Sequence, residues 1–437
     1  MSIPVVTVGD AEEDLVGGLE RLHGPVSVVR RCSELTELLA ACQGGLARAA
    51  VVAGGSEELA ASLVDRLRAV GVAIVALADD PLEVTRLRGM GVLSAAPDVD
   101  PAVLAAKISE AVALLSGTGS VTQFRQDSGI SDPGASNRIR MDEGADVPPA
   151  SGTGQIIAVW GPAGSPGRTL VAINIAGELA AEGKSVLLVD ADSYGASVAA
   201  MLGLLDETAG LAQACRLADQ GILDSDALLR IATRVVTKGG TFRVLTGITR
   251  ADRWTELRAA ALSIVLEKSR EIADVIVIDA GFCLEADEEL SFDTVAPRRN
   301  AATLRSLELA DTVFAIGAAD PVGVPRLVRA LSDLEHAVPN ASPKVVLNKV
   351  RASVVGRSPE RQLREAWDRY GPSLRIEAFL PADAGAGDAA LLSGALLLEA
   401  APESALRHSI AELVCARVQG KRRSSVFSST ARGRVKD

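Results

Sequence analysis

"VWGPAGSPGRTLVAINIAGELA", residues 159–180, decides how the chain is read. An apolar run, Gln155–Trp160, enters a loop of Gly, Pro, Ala and Ser, and a helical pattern of small and apolar residues starts near Gly167. Strand, glycine-rich turn and helix in that order aim backbone N–H groups and the positive end of a helix dipole at one point, which suits an anion. The stretch approaches the phosphate-loop pattern G-x-x-x-x-G-K-[ST], with Arg168 in the lysine position and Thr169 as the hydroxyl. Arginine keeps the charge but is longer, planar and forked. Pro162 and Pro166 each remove one N–H donor and stiffen the loop.

Working outward, 437 residues allow two or three domains, and 48% hydrophobic with 23% charged residues describe a globular chain with ample core. A net charge of -11 argues against nucleic-acid binding by the whole surface, though not against a local basic patch. No apolar run reaches the roughly 18 residues of a membrane span. MSIPVVTVGDAEEDL lacks a basic segment followed by an apolar one, so no signal peptide and a cytoplasmic location are expected. The five cysteines include no C-x-x-C pair and read as buried reduced thiols, and three scattered histidines speak against a His-based metal site or triad.

Residues 1–116 alternate short apolar runs (PVVTVG, VSVVR, AAVVAG, AIVALA, GVLSAA) with helical patterns, which predicts a doubly wound α/β sheet. Residues 117–151 are rich in Gly, Ser, Asp and Pro without periodicity and read as a flexible linker. From 152 the rhythm resumes to about 418. QIIAVWG, SVLLVDAD, FRVLTG, DVIVIDAG, TVFAIGA, KVVLNKV and RIEAFLP are near-continuous apolar runs, as in parallel strands buried on both faces. Residues 419–437 read as a basic disordered tail.

Polar residues close several of these runs. Asp190 and Asp192 follow SVLLV, Asp279 ends DVIVI, and Asn348 with Lys349 ends KVVL. A helix cap or turn explains each alone. In this order, at carboxyl ends of strands, they fit a nucleotide crevice better: Asp279 beside a Mg²⁺ water shell, Asn348 and Lys349 toward a base edge.

Two resemblances follow. The order of elements in residues 1–116 resembles a response-regulator receiver domain, whose chemistry is mostly absent. Ala53 and Gly54 stand where the phosphoryl-accepting aspartate belongs, and Ala96 replaces the lysine before Pro97. The acidic group Asp10, Glu12, Glu13 and Asp14 reads as a solvated helix start, and the segment as a pseudo-receiver for docking or dimerisation. The loop, the D-A-D, I-D-A-G and L-N-K-V motifs and "FLPADAGAGDAALLSGALLLEAAPESALRHSIAELV" together resemble the ParA/MinD family of deviant Walker ATPases over residues 153–418. With the pseudo-receiver, the architecture is most similar to the CpaE/TadZ branch, which positions pilus machinery and has septum-site-determining relatives.

That resemblance implies ATP or ADP with Mg²⁺, an ATP-dependent homodimer, a protein partner in a pilus or division apparatus, and recruitment to the pole, septum or inner membrane face. It implies that Thr169 ligates Mg²⁺, that Asp192 acts on the attacking water, and that Asp279 is the Walker B acid, so Asp192 and Asp279 are the catalytic and metal candidates. Gly161, Gly164, Ser165, Gly167 and Arg168 would cradle phosphates, while Asn348, Pro381 and Asp383 would face adenine. The family pattern K-G-G-x-G-K-[ST] puts Ala163 at the lysine that reaches across the dimer, so both lysines are gone. The loss takes away a cation that stabilises charge on the γ-phosphate, and slow or lost hydrolysis is expected. The alternative is an active ParA-type partition ATPase binding DNA non-specifically through Arg298, Arg299 and Arg305. A last helix with an apolar face at Leu406, Ile410, Leu413 and Val414, before a basic tail, suggests either packing on the core or weak membrane-surface contact.

Overall fold

The computed structural model describes residues 2–9, 13–22, 24–117, 154–204, 209–285 and 298–415. The linker beyond residue 117, the basic tail, Asp10 and Glu12 lie outside the described residues. The chain divides into two compact units, Met1–Asp146 with Arg216–Leu223, and Val147–Cys215 with Asp224–Asp437.

In chain order the first elements are β1 (Ile3–Val8), α1 (Glu13–Arg21), β2 (Val26–Cys32), α2 (Leu35–Gln43), β3 (Ala49–Val52), α3 (Ala61–Ala69), β4 (Ala73–Leu77), α4 (Pro81–Gly89), β5 (Leu93–Ala95) and α5 (Pro101–Gly117). The strands form a parallel sheet in the order β2-β1-β3-β4-β5. This is a doubly wound arrangement with its switch point between β1 and β3. Val5, Val51 and Val75 meet Leu15 and Leu19 of α1 and Leu104 and Ile108 of α5 in one apolar cluster. β3 and β4 are buried along their whole length, which is why they read as unbroken apolar runs.

The remaining elements are β6 (Gln155–Trp160), α6 (Arg168–Ala181), β7 (Val186–Ala191), α7 (Val198–Met201), α8 (Gly210–Asp219), α9 (Ser225–Ile231), β8 (Thr233–Val236), β9 (Thr241–Leu245), α10 (Ala259–Ile272), β10 (Val275–Ala280), α11 (Ala301–Leu309), β11 (Thr312–Ala318), α12 (Gly323–Ala337), β12 (Pro343–Val350), α13 (Ala352–Val355), α14 (Pro359–Tyr370), β13 (Ile376–Pro381), α15 (Ala384–Ser393), α16 (Leu397–Ala400) and α17 (Ala405–Val414). Their sheet runs β13-β12-β11-β6-β10-β7-β9-β8. Every neighbouring pair is parallel except β8 with β9. β8 was not among the strand candidates. Its four residues alternate half-buried and exposed, the signature of an edge strand with one wet face.

One face of this sheet packs Val159, Leu188 and Val277 against Val171 and Ile175 of α6 and Leu406 and Ile410 of α17. The other packs Ala158, Trp160 and Leu347 against Leu327 and Leu331 of α12 and Trp367 of α14. The apolar face of α17 is therefore core. Arg407 on the same helix donates from Nε and Nη2 to the two oxygens of buried Glu178, at 2.7 and 2.9 Å. The cysteines are free thiols, with Cys32, Cys42, Cys215 and Cys415 buried and Cys283 half-buried. Burial pushes Cys42 and Cys415 up to about 11. No helix among the described residues is long and apolar enough to cross a membrane.

Candidate functional site

The β6–α6 loop is shaped by close backbone contacts. A Cβ on Gly161 would lie 2.1 Å from the Ile316 carbonyl oxygen, so β11 packs against the loop's entry. Gly164 and Gly167 hold φ of +108° and +98°, and Ser165 shares the left-handed region at +52°, a costly place for a residue with a side chain. The end of β12 fixes the loop from one side. Asn348, 2% exposed, donates from Nδ2 to the Pro166 carbonyl at 2.8 Å and accepts the Lys349 N–H at 2.7 Å. Lys349, itself at φ +59°, donates from Nζ to the Ser165 carbonyl at 2.7 Å. Both ends of the Asn348 amide are thus used within the protein, Nδ2 on the loop and Oδ1 on the neighbouring Lys349 amide.

Opposite the loop stand three carboxylates. Register pairs Asp190 of β7 with Asp279 of β10, two buried acids at the same level of adjacent strands. Asp190 accepts the Val198 N–H at 3.0 Å and the Asp192 N–H at 3.3 Å. One oxygen of Asp192 accepts the N–H groups of Tyr194 and Gly195, at 2.8 and 3.1 Å. The other faces Arg168 Nη2 at 3.1 Å, while Arg168 Nη1 donates to the Gly161 carbonyl at 2.8 Å. Thr169 Oγ1 donates to Asp279 Oδ2 at 2.6 Å. The other Asp279 oxygen, Oδ1, is buried with no partner.

Arg168 pairs with Asp192 and acts on Asp279, and Asp190 lies beside Asp279 on the neighbouring strand. Burial pushes Asp279 up to about 7, opposed by the Thr169 hydroxyl and Arg168. Burial, with Asp279 alongside, holds Asp190 well above the usual carboxylate range.

These residues fit a phosphate-bound Mg²⁺. The ion takes oxygen ligands, and in nucleotide sites it uses one or two carboxylates plus substrate phosphates rather than an all-protein cage. The partnerless Asp279 oxygen beside the Thr169 hydroxyl is such a place, with Asp192 near by. Among the described residues no cluster of three or more His, Cys, Asp or Glu could hold a metal ion. The first-turn N–H groups of α6, which starts at Arg168 and Thr169, have no intrahelical partner.

Sequence reasoning missed an aromatic bridge. Tyr194, after β7, and Phe282, after β10, have ring centroids 4.9 Å apart. Arg168 lies over Phe282 at 5.9 Å and Arg299 over Tyr194 at 4.2 Å. Tyr194 Oη also donates to Asn300 Oδ1 at 2.9 Å. The one available signal was an aromatic directly downstream of each acid-bearing strand in a chain only 3% aromatic. Arg305 pairs with Glu308 at 3.0 Å, so two of the three arginines of the expected basic edge are engaged. Pro381 ends β13, and Asp383 caps α15. Its carboxylate accepts the Ala386 N–H at 3.0 Å and the Ser404 hydroxyl at 2.8 Å, bonds that lower its pKa.

Comparison with known proteins bears on this unit. Residues 152–224, which carry the loop, α6, β7 and Asp192, match the ParA family model, the NUBPL iron-transfer P-loop NTPase. Among solved structures, the cell division ATPase MinD of Pyrococcus furiosus is similar at 19% identity and TM-score 0.47, over 60% of this chain and 97% of that one. The septum site-determining protein MinD of Pyrococcus horikoshii OT3, complexed with Mg-ADP, gives 18% and 0.47, over 61% and 97%. A ParA family ATPase from Chlorobium tepidum TLS gives 17% and 0.49, over 60% and 98%. No curated protein matches the chain.

Proposed function

We propose that this chain is a nucleotide-binding spatial regulator of the ParA/MinD type, with slow or lost hydrolysis. The observation that carries the reading is the Thr169–Asp279 hydrogen bond, 2.6 Å, with a partnerless buried carboxylate oxygen beside it at the mouth of the phosphate loop. The ParA match over residues 152–224 supports it. Thr169, Asp192 and Asp279 would hold Mg²⁺, which neutralises phosphate charge when bound. The amides of Gly164, Gly167, Arg168 and Thr169 would bind the phosphates. Binding needs little from a lysine, since backbone amides and the helix dipole supply much of it.

Turnover is another matter. Ala163 carries no cation for a partner's γ-phosphate, and the Arg168 guanidinium is divided between Asp192 and a backbone carbonyl. The domain plan of this reading is a receiver-like unit over 1–116, a connector over 117–151, the ATPase unit over 152–418 and a basic tail. Its partners are a second copy of the chain and a protein of a pilus or division apparatus, as in the CpaE/TadZ-like arrangement. Partition by DNA binding is the second reading, and the engagement of Arg299 and Arg305 weighs against it.

Calorimetry and turnover on one pure sample, with and without Mg²⁺, test the proposal. ATP and ADP should bind, and Ala163→Lys with Arg168→Lys should raise hydrolysis more than it tightens binding. No binding at millimolar nucleotide with excess Mg²⁺ would sink it. Brisk wild-type turnover abolished by Asp192→Ala would replace it with an ordinary ATPase.

A further inference from the structure

The loop apex lacks a lysine, but a different cation stands beside it. α12 follows β11, the strand that packs its Ile316 carbonyl against Gly161. The turn into α12 is fixed by Asp320, whose carboxylate accepts the Val322 and Gly323 N–H groups at 3.0 and 2.7 Å. One helical turn later comes Arg326. Its guanidinium lies against Gly164, so closely that a Cβ on that glycine would sit 2.6 Å from Nη1. Gly164 directly follows Ala163, the position that lacks its lysine.

The other cations at the loop are already engaged, Arg168 with Asp192 and Gly161 and Lys349 with the Ser165 carbonyl. Arg326 is solvent-exposed and has no carboxylate partner among the described residues. An unpaired guanidinium at the rim of an anion-binding loop can turn to a phosphate without first breaking an ion pair, and it presents a fork matched to phosphate oxygens.

We propose that Arg326 binds the terminal phosphate of a bound nucleoside triphosphate, supplying within one chain the cation that position 163 lacks. This rests on the nucleotide-binding reading above. It makes Arg326 a discriminator between triphosphate and diphosphate, a distinction on which a spatial regulator depends.

The test is calorimetric titration of the full chain and its R326Q and R326K variants with ATP·Mg²⁺ and with ADP·Mg²⁺. R326Q should weaken ATP binding about tenfold or more, the worth of one charge-assisted contact, and leave ADP within about twofold. R326K should fall between wild type and R326Q for ATP. Because the side chain is exposed, thermal unfolding of both variants should match wild type. If R326Q leaves the ATP affinity within about twofold, or weakens ATP and ADP alike, Arg326 does not hold the terminal phosphate. Wild type that binds neither nucleotide overturns the functional reading and this inference together; wild type that binds both, with R326Q indifferent, overturns this inference alone.

Discussion

The two units carry the same device, a parallel sheet with a crevice at the carboxyl ends of its strands, and fill it in opposite ways. In the first, β3 runs into Ala53 and Gly54, and Gly9 approaches so closely that a Cβ there would lie 2.5 Å from the Gly54 nitrogen. In the second, the corresponding strand ends deliver Asp190, Asp192 and Asp279, and the loop delivers Arg168 and Thr169. The architecture is shared; the chemistry lies in a few side chains at strand ends. The end of β3 in one unit carries no ionisable side chain, while the strand ends of the other hold acids and a cation that depend on one another.

That dependence gives the largest expected effect. Arg168 and Asp192 are mostly buried, with side chains 14% and 8% exposed. Arg168→Ala takes the guanidinium from Asp192 and its charge from Asp279, which should cost about 3 kcal/mol. All three tryptophans, Trp160, Trp254 and Trp367, lie in the second unit, so urea denaturation followed by tryptophan fluorescence reads this loss directly. A change below about 1 kcal/mol would mean that the cluster is not held by its cation. In the first unit the matching change is Gly9→Ala. With φ at +89° and the Gly54 backbone in the way, it should cost about 2 kcal/mol. Calorimetry should show one transition lowered while the tryptophan-detected transition stays in place; if both move, the units do not unfold independently.

A smaller effect is expected from Thr169→Ala, which removes the hydroxyl donor to Asp279 and leaves a buried carboxyl with less compensation. The stability loss should be about 1 kcal/mol, and the Mg²⁺ dependence of ATP binding should shrink with it. Unchanged Mg²⁺ dependence would separate Thr169 from the ion.

Much of the fold was legible because buried parallel strands leave near-continuous apolar runs, and DVIVIDAG or KVVLNKV admits little else. β8 was not legible. TRVV is four residues long and alternates, as an antiparallel edge strand does, so it lacks the mark by which its neighbours were found. The site was legible in composition and not in connection. That Thr169 and Asp279 belong together follows from strand order, but Arg168 turning to Asp192, Asn348 clamping Pro166 and Arg326 lying on Gly164 join residues 24, 182 and 162 positions apart. Such contacts are set by how the β-strands are ordered and by loop backbone angles, and no local pattern encodes either.

The smallest effect predicted is none at all, and it tests the comparison from the other side. Phosphoryl transfer to the first unit, of the kind its resemblance to a receiver domain would imply, needs a carboxylate at the end of β3 to attack phosphorus, and a nearby cation to balance the charge that builds on the phosphoryl oxygens. Ala53 and Gly54 offer no nucleophile, and Ala96, just after β5, offers no ammonium group. The unit's own lysine, Lys107 on α5, donates to the Ser94 carbonyl. Incubation of the full chain with acetyl phosphate and Mg²⁺, followed by intact mass and peptide mapping, should therefore find no stoichiometric phosphoryl adduct within residues 1–116. An adduct there would mean that another side chain can reach phosphorus in that crevice. The contrast between a β3 end without an ionisable side chain and the charged strand ends of the second unit would then fail at its weaker end.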